Sequence, residues 1–354
     1  KPAVKGSTSA AATSEEPWVK LADDRWCHRF AQVDARGGGQ LLFCNLRHSV
    51  VAGSSASENR SALDLVLQAR EQPGAWIDVA RAFSWDLPLW IAHGMVDSIE
   101  LANSHLGRGS VQADEAGGKP RDKQAYPNPT GNGRWNAAIY YHLLNCGLRI
   151  PPSAGSGSGD APNPVGYNRA YVHVDGEFTP EKWWQGLRAG QVVVTNGPLL
   201  RPSVQGELPG HVFQAGAGDE LELEIGLTLS TRETVHYLEI IKDGKVAQSI
   251  RLADYVQQGG RLPKLKFKES GWFLIRAVTD TPGTYRFASS GPYYVQVGYT
   301  PRVSRASVQF FLDWLNERAA TLKIEDPAQL AAVTKQYGEA RDYWEKLLAK
   351  ANSE

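Results

Sequence analysis

The sequence is poor in sulfur-containing residues, with three cysteines and one methionine in 354 residues. Cys27, Cys44 and Cys146 form no Cys-x-x-Cys pair and are odd in number, which argues against a disulfide framework and against a cysteine-rich zinc site. The chain also lacks an excess of charge, because 38 basic residues balance 38 acidic ones. It has no apolar run that approaches the roughly 20 residues of a membrane-spanning helix. We therefore expect no nucleic-acid partner and no membrane span.

The N-terminal residues carry no folding signal. Residues 1–16 are small and polar, without a periodic apolar face, and predict a disordered linker. The chain begins at Lys1 without an apolar signal segment, which is typical of a processed chain or a fragment. The low methionine and cysteine content, the 11 tryptophans and this linker together favour an exported protein, secreted or periplasmic.

Residues 17–198 alternate short apolar runs with helical patterns. The runs at 40–45, 75–79, 97–102, 148–153, 170–174 and 191–195 predict strands, and the patterns at 59–70, 85–93, 133–145 and 179–188 predict helices. Asn132 is predicted to cap the helix at 133–145. Alternation of this kind is typical of parallel strands joined by crossover helices. It predicts a partial (βα) barrel, since a closed barrel needs about eight such strands.

The pattern becomes that of a β protein over residues 199–300. Leu221, Leu223 and Ile225 alternate with polar residues as in a half-buried antiparallel strand. The Asp-Gly pair at 243–244 stands between two apolar runs and indicates a two-residue hairpin. Short strands of this kind predict an all-β, immunoglobulin-like sandwich.

The last segment, residues 301–354, has a helical pattern. Val308, Phe311 and Leu315 form one apolar stripe, and the Asp-Pro pair at 326–327 is typical of an N-cap followed by the first residue of a helix. We therefore predict a C-terminal helical hairpin.

Two short motifs stand near the end of the predicted barrel: Leu-Arg-Ala-Gly at 187–190 and Thr-Asn-Gly-Pro at 195–198. With the surrounding segment 168–200 and the predicted strand at 97–103, they resemble the polymerase-and-histidinol-phosphatase (PHP) superfamily, in its carbaryl-hydrolase-like branch. This resemblance implies a (βα) barrel of PHP type that leads into a β-sandwich. It also implies divalent metal ions, such as manganese, zinc or iron, which histidines and carboxylates hold at the mouth of the barrel to activate a water molecule.

The histidines and carboxylates that the resemblance requires are largely missing from this sequence. There is no His-x-His, and the segment 155–159 reads Gly-Ser-Gly-Ser-Gly where the family has Gly-Ser-Asp-Ser-His. Glycine has no side chain with which to bind a metal. We therefore predict a catalytically degenerate protein with no metal cofactor, in which Glu100 and His105 are the residual metal-binding candidates.

The polar residues near the predicted strand ends define a candidate binding pocket. Its members are Asp78, Asp86, Glu100, Asn103, His105, Asn132 and Ser156. Trp76, Trp85 and Trp135 are expected to surround it, and polar groups among tryptophans suit the face of a sugar. The leading hypothesis is therefore a binding or scaffold module for a carbohydrate or an anionic small molecule.

Two alternatives remain open at the level of the sequence. The chain is a metal-dependent phosphoesterase or hydrolase if an N-terminal half, missing from this chain, supplies the His-x-His and the early carboxylates. It is a protein-interaction module if the sandwich and the terminal helices dock to a partner, which predicts a large exposed apolar patch.

Overall fold

The structure is a computed structural model that describes residues 17–36, 38–51, 62–128, 130–159 and 163–354. The predicted linker at 1–16 lies outside these ranges. The described part begins with a small antiparallel hairpin of two strands, β1 (Trp18–Ala22) and β2 (Arg25–His28).

A five-stranded sheet follows, with its strands in sequence order. Its elements are β3 (Gln32–Asp34), β4 (Leu41–Cys44), α1 (Leu63–Arg70), β5 (Trp76–Val79), α2 (Leu87–Ala92), β6 (Ser98–Ala102), α3 (Gly131–Asn145) and β7 (Pro152–Ala154). Strands β3, β4 and β5 pair antiparallel, whereas β5, β6 and β7 pair parallel. A helix also stands between β4 and β5, but only β5, β6 and β7 have the parallel pairing that the sequence pattern predicts.

The two faces of this sheet differ in chemistry because side chains alternate along each strand. Phe43, Ile77 and Ile99 are fully buried and belong to the hydrophobic core that the helices share with the sheet. The opposite face carries polar side chains, of which Asp78 and Glu100 are 6% and 5% exposed. The sheet therefore holds two carboxyl groups away from bulk water.

The second half of the chain is mostly β. Its elements are β8 (Arg169–Val172), α4 (Pro180–Arg188), β9 (Val192–Thr195), β10 (Leu199–Val204), β11 (Val212–Ala215), β12 (Leu221–Ser230), β13 (Val235–Lys242), β14 (Lys245–Arg251), α5 (Leu252–Gln257), β15 (Arg261–Phe267), β16 (Gly271–Thr279), β17 (Phe287–Ser290) and β18 (Tyr293–Val297). Strands β10, β12 and β15 form a three-stranded sheet, and the others form an eight-stranded sheet. A second hydrophobic core, which includes Leu223, Phe273 and Tyr293, lies between these two sheets.

The predicted fold class, a partial PHP-type (βα) barrel followed by a separate immunoglobulin-like sandwich and a helical hairpin, is wrong. Strand β8 pairs antiparallel with β9, and β9 pairs antiparallel with β17, so both strands belong to the eight-stranded sheet and do not extend the parallel strands. Within the described residues no barrel closes. The apolar run of β9 is buried on both faces, and such a run looks the same in a parallel and in an antiparallel sheet. Its partner β17 lies about 90 residues further along the chain, where no local pattern can indicate it.

Two long helices, α6 (Arg305–Thr321) and α7 (Pro327–Ala349), end the chain. Asp326 caps α7 by accepting a hydrogen bond from the backbone N–H of Gln329 at 2.7 Å, with Pro327 in the first turn, as the sequence predicts. Trp314 and Trp344 are fully buried, and they join the core that α2 and α3 also line. No helix in the described ranges is both long enough and apolar enough to cross a membrane.

Candidate functional site

Glu100 is the central residue of the candidate site. It lies near the C-terminal end of β6, at the edge of the sheet where all three parallel strands end. Its side chain is only 5% exposed. In the same cluster the amide nitrogen Nδ2 of Asn103 is buried without a hydrogen-bond partner among the described residues. Burial raises the pKa of Glu100 well above its usual value, and the neighbouring Asp78 carboxyl raises it further, while the Arg81 guanidinium opposes the shift. Burial and the Asp78 carboxyl therefore both favour the neutral form of this group.

Asp78 lies on the same face, but it is satisfied by hydrogen bonds. Its Oδ1 accepts from the hydroxyls of Ser98 at 2.7 Å and Ser153 at 2.6 Å. The Nε1 of Trp76 in turn donates to the Ser98 hydroxyl at 2.7 Å. Burial raises the pKa of Asp78 to about 6, although both serine hydroxyls act in the opposite direction. These hydrogen bonds fix the side chains next to Glu100 on the polar face of the sheet.

Arg81 and His105 form the polar wall next to Glu100. Nη1 of Arg81 lies 2.9 Å from Nε2 of His105, and Nη2 donates to the side chain of Gln40 at 3.3 Å. A guanidinium only donates, so Nε2 of His105 accepts and the imidazole is neutral with its proton on Nδ1. Burial and the adjacent Arg81 charge lower the pKa of His105 to about 4, which agrees with that assignment. Asn103 orients the histidine, because its Oδ1 accepts from the backbone N–H of His105 at 3.0 Å.

Gly155, which follows β7, makes room for the Glu100 carboxyl. A Cβ atom placed on Gly155 would lie 1.9 Å from Oε1 of Glu100, far inside van der Waals contact. No positive φ is required at this glycine, so the constraint is the close approach of the carboxyl alone. The first glycine of the Gly-Ser-Gly-Ser-Gly segment thus shapes the position of Glu100.

Asp86, which the sequence places in the pocket, lies elsewhere. Its Oδ1 accepts from Nε of Arg318 at 2.8 Å and from the hydroxyl of Tyr337 at 3.2 Å. Arg318 is on α6 and Tyr337 is on α7. Asp86 therefore fastens both C-terminal helices to the start of α2.

Asn132 and Ser156 also serve the framework. The prediction that Asn132 caps α3 is wrong, because Thr130 is the N-cap residue. The Asn132 amide instead donates to the carbonyl of Asp114 and to the side chain of Glu115. The Ser156 hydroxyl donates to the carbonyl of Asn168 at 3.1 Å and accepts from its N–H at 3.0 Å. Of the seven candidates, the structure brings together Asp78, Glu100, Asn103 and His105.

The three tryptophans do not surround this cluster as predicted. Trp135 is buried between Tyr126 and Phe310, and Trp85 stands close to the Lys119 ammonium. Trp76 lies on the polar face, but its ring is buried against Trp184 of α4. None of the three therefore presents a free ring to a ligand at Glu100.

Sequence reasoning missed Arg81, Ser98 and Ser153. Arg81 stands two residues past the end of β5, in the position where side chains of parallel sheets converge, and that spacing could have identified it. No sequence pattern identifies Ser98 and Ser153 as hydrogen-bond donors to Asp78. Ser98 donates to it because the register of β5 and β6 places Asp78 opposite Ser98.

The residual metal candidates Glu100 and His105 do not fit a metal ion. Nε2 of His105 is engaged by the Arg81 guanidinium, and the positive charge of Arg81 beside Glu100 opposes the binding of a cation. Among the residues that the structure describes, no three His, Cys, Asp or Glu side chains form a group that could hold a metal.

Comparisons with known proteins give no family assignment. No family model and no curated protein matches the chain. Among solved structures, the fibronectin(III)-like modules of Clostridium thermocellum CbhA match at 17% identity with a TM-score of 0.20, over 28% of this chain and 98% of that chain. A lytic polysaccharide monooxygenase of Jonesia denitrificans matches at 12% identity with a TM-score of 0.16, over 44% of this chain and 92% of that chain. At such TM-scores neither likeness assigns a fold or an activity, and the PHP resemblance of segment 168–200 stays a prediction.

Proposed function

We propose that the chain is a binding module for a small hydroxyl-bearing molecule, such as a saccharide, whose hydroxyls lie against the Glu100 carboxyl. One observation carries the proposal: in the cluster around the almost completely buried Glu100 carboxyl, the amide nitrogen of the fully buried Asn103 has no hydrogen-bond partner within the described residues. An unpaired polar group in such a place costs about 1–3 kcal/mol of stability. Groups of this kind concentrate where a ligand completes the hydrogen bonds.

The protonation state of Glu100 sets the class of ligand. A neutral carboxyl group donates one hydrogen bond and accepts others, and a hydroxyl group can do the same in return. Arg81 supplies further donors at the rim of the same site. A cation would need Glu100 to be ionised, which burial disfavours.

Two substitutions at Glu100 distinguish a neutral from an ionised carboxyl. Glu100→Gln keeps one donor and one acceptor, so we expect saccharide affinity to stay within about threefold of the wild type. Glu100→Leu has neither, and we expect affinity to fall at least about tenfold. Isothermal titration with glucose, galactose, mannose and cellobiose measures both. Loss of binding in Glu100→Gln would show that an ionised carboxylate is needed, and no binding of any of these sugars to the wild type would refute the proposal.

Gly155→Ala tests the position of the carboxyl without touching its chemistry. The added methyl group displaces Oε1 of Glu100, so we expect a loss of affinity similar to that of Glu100→Leu. Gly109→Ala is the matched control, because a Cβ there meets nothing within 4 Å. Equal affinities of the two alanine variants would place the binding site away from Glu100.

Metal content tests the metallohydrolase alternative directly. For protein purified without chelator and then mixed with manganese, zinc or iron, we expect less than about a tenth of an equivalent of each after gel filtration, because too few ligand side chains converge in the part of the chain that the structure describes. Plasma mass spectrometry gives the value. One tightly held equivalent would favour a hydrolase whose remaining ligands come from outside this chain.

A further inference from the structure

A cleft of about 750 Å³ lies at the opposite edge of the five-stranded sheet from Glu100. It opens between the end of β4, the start of β5, the β1–β2 hairpin and one face of α4. Its size suits a ligand of one to a few sugar rings. None of the pocket residues predicted from the sequence lines it.

Two exposed arginines line this cleft from different parts of the chain. Arg47 follows β4, and Arg188 is the last residue of α4. Neither guanidinium has a carboxylate partner within the described residues, and Glu181 is the acidic residue of the lining. Arg188 is also held in place by the ring of Trp76, whose centroid lies 4.9 Å from its Cζ. The cleft therefore has an excess of positive charge with unused donors.

Two half-buried tryptophans form part of the same lining. Trp18 comes from β1 and packs edge-on against His28 with ring centroids 4.7 Å apart. Trp184 comes from α4, and Trp76 and Trp183 contact it at 5.4 Å and 4.9 Å between centroids. These contacts hold both rings in fixed positions, which suits the stacking of a flat ligand face.

We propose that this cleft binds an acidic saccharide, with a carboxylate of the sugar held by Arg47 and Arg188 and a sugar ring packed on Trp18 or Trp184. Arginine is well suited to a carboxylate because its N–H groups can donate two parallel hydrogen bonds to it. The tryptophan faces supply the apolar contact that a free inorganic anion cannot use. This site is independent of the one at Glu100.

The test uses trigalacturonate, its uncharged methyl ester and inorganic phosphate as probes in isothermal titration. We expect trigalacturonate to bind, and the ester and phosphate to bind at least about tenfold more weakly. The Arg47→Ala/Arg188→Ala double variant should lose trigalacturonate binding, whereas Arg134→Ala, an exposed arginine on α3, should keep it. Glu181→Gln should strengthen binding by about twofold to fivefold, since it removes a like charge from the lining.

Three results of these titrations would contradict the proposal in different ways. Equal binding of the ester would exclude recognition of the carboxylate, and equal binding of phosphate would reduce the cleft to a simple anion site. No binding of trigalacturonate to the wild type would refute the proposal as a whole. Because Arg47 and Arg188 are exposed, the double variant should unfold at the same temperature as the wild type, which separates lost binding from lost folding.

Discussion

Replacing Asp86 with alanine should lower the free energy of unfolding by about 3–5 kcal/mol, because it removes the carboxylate from a buried ion pair with Arg318. The side chains of Arg318 and Asp86 are only 12% and 13% exposed. The same oxygen of Asp86 also accepts from Tyr337, so one substitution loosens both α6 and α7. We expect α7 to lose protection from hydrogen exchange before the sheets do.

An exposed ion pair in the same helical hairpin provides the control for Asp86. Lys335 and Glu339 lie 3.8 Å apart on α7 with side chains 77% and 53% exposed. Glu339→Ala should therefore change the free energy of unfolding by less than about 0.5 kcal/mol. Urea unfolding followed by tryptophan fluorescence measures both variants. A loss in Asp86→Ala no larger than in the control would mean that the terminal helices are held by apolar packing alone.

Asp78 should make the protein less stable as the pH rises. Burial raises its pKa in the folded protein to about 6, compared with about 3.9 in an unfolded chain. Between these values the folded state binds more protons than the unfolded state, so stability is greatest below about pH 4 and falls as the pH approaches 6. A shift of about two pKa units corresponds to about 3 kcal/mol. Burial also raises the pKa of Glu100, so this group acts in the same direction.

Asp78→Asn removes the ionisable group but keeps an oxygen that can accept from Ser98 and Ser153. We expect the variant to match the wild type near pH 4 and to exceed its stability by about 2–3 kcal/mol near pH 7.5. Urea unfolding at intervals of one pH unit gives the two curves. Asp342→Asn, at an exposed position of α7, should leave the pH dependence as it is in the wild type. Parallel curves for Asp78→Asn and the wild type would show that Asp78 does not titrate over this range.

Local features of the fold were readable from the sequence. The strands predicted at 40–45, 75–79 and 97–102 correspond to β4, β5 and β6. Helix α4 lies within the range predicted at 179–188, and Thr179 caps it by accepting from the backbone N–H of Lys182. Asp243 and Gly244 both have positive φ in the turn between β13 and β14. Each of these features depends on residues within a few positions of one another, so periodicity and turn chemistry are sufficient to find them.

The candidate site was only partly readable. Glu100, Asn103 and His105 come together because they belong to one strand and the residues that directly follow it. Asp86 was misplaced because its partners, Arg318 and Tyr337, lie more than 200 residues away in the chain. The same limit applies to Gly155, whose role is visible only when the Glu100 carboxyl is seen next to it.

The sequence by itself determined where most helices and strands begin and end, how the apolar faces alternate, and which acidic residues stand at strand ends. The tertiary structure alone decided that β8 and β9 join the strands downstream of them, because an apolar strand carries no record of its partner. It also decided which polar groups are satisfied: Asp78 is paired with two hydroxyls, whereas the buried Nδ2 of Asn103 has no partner within the described residues. Burial and hydrogen bonding depend on neighbours that are distant in sequence, and those neighbours set the charge of each group and the ligands it can bind.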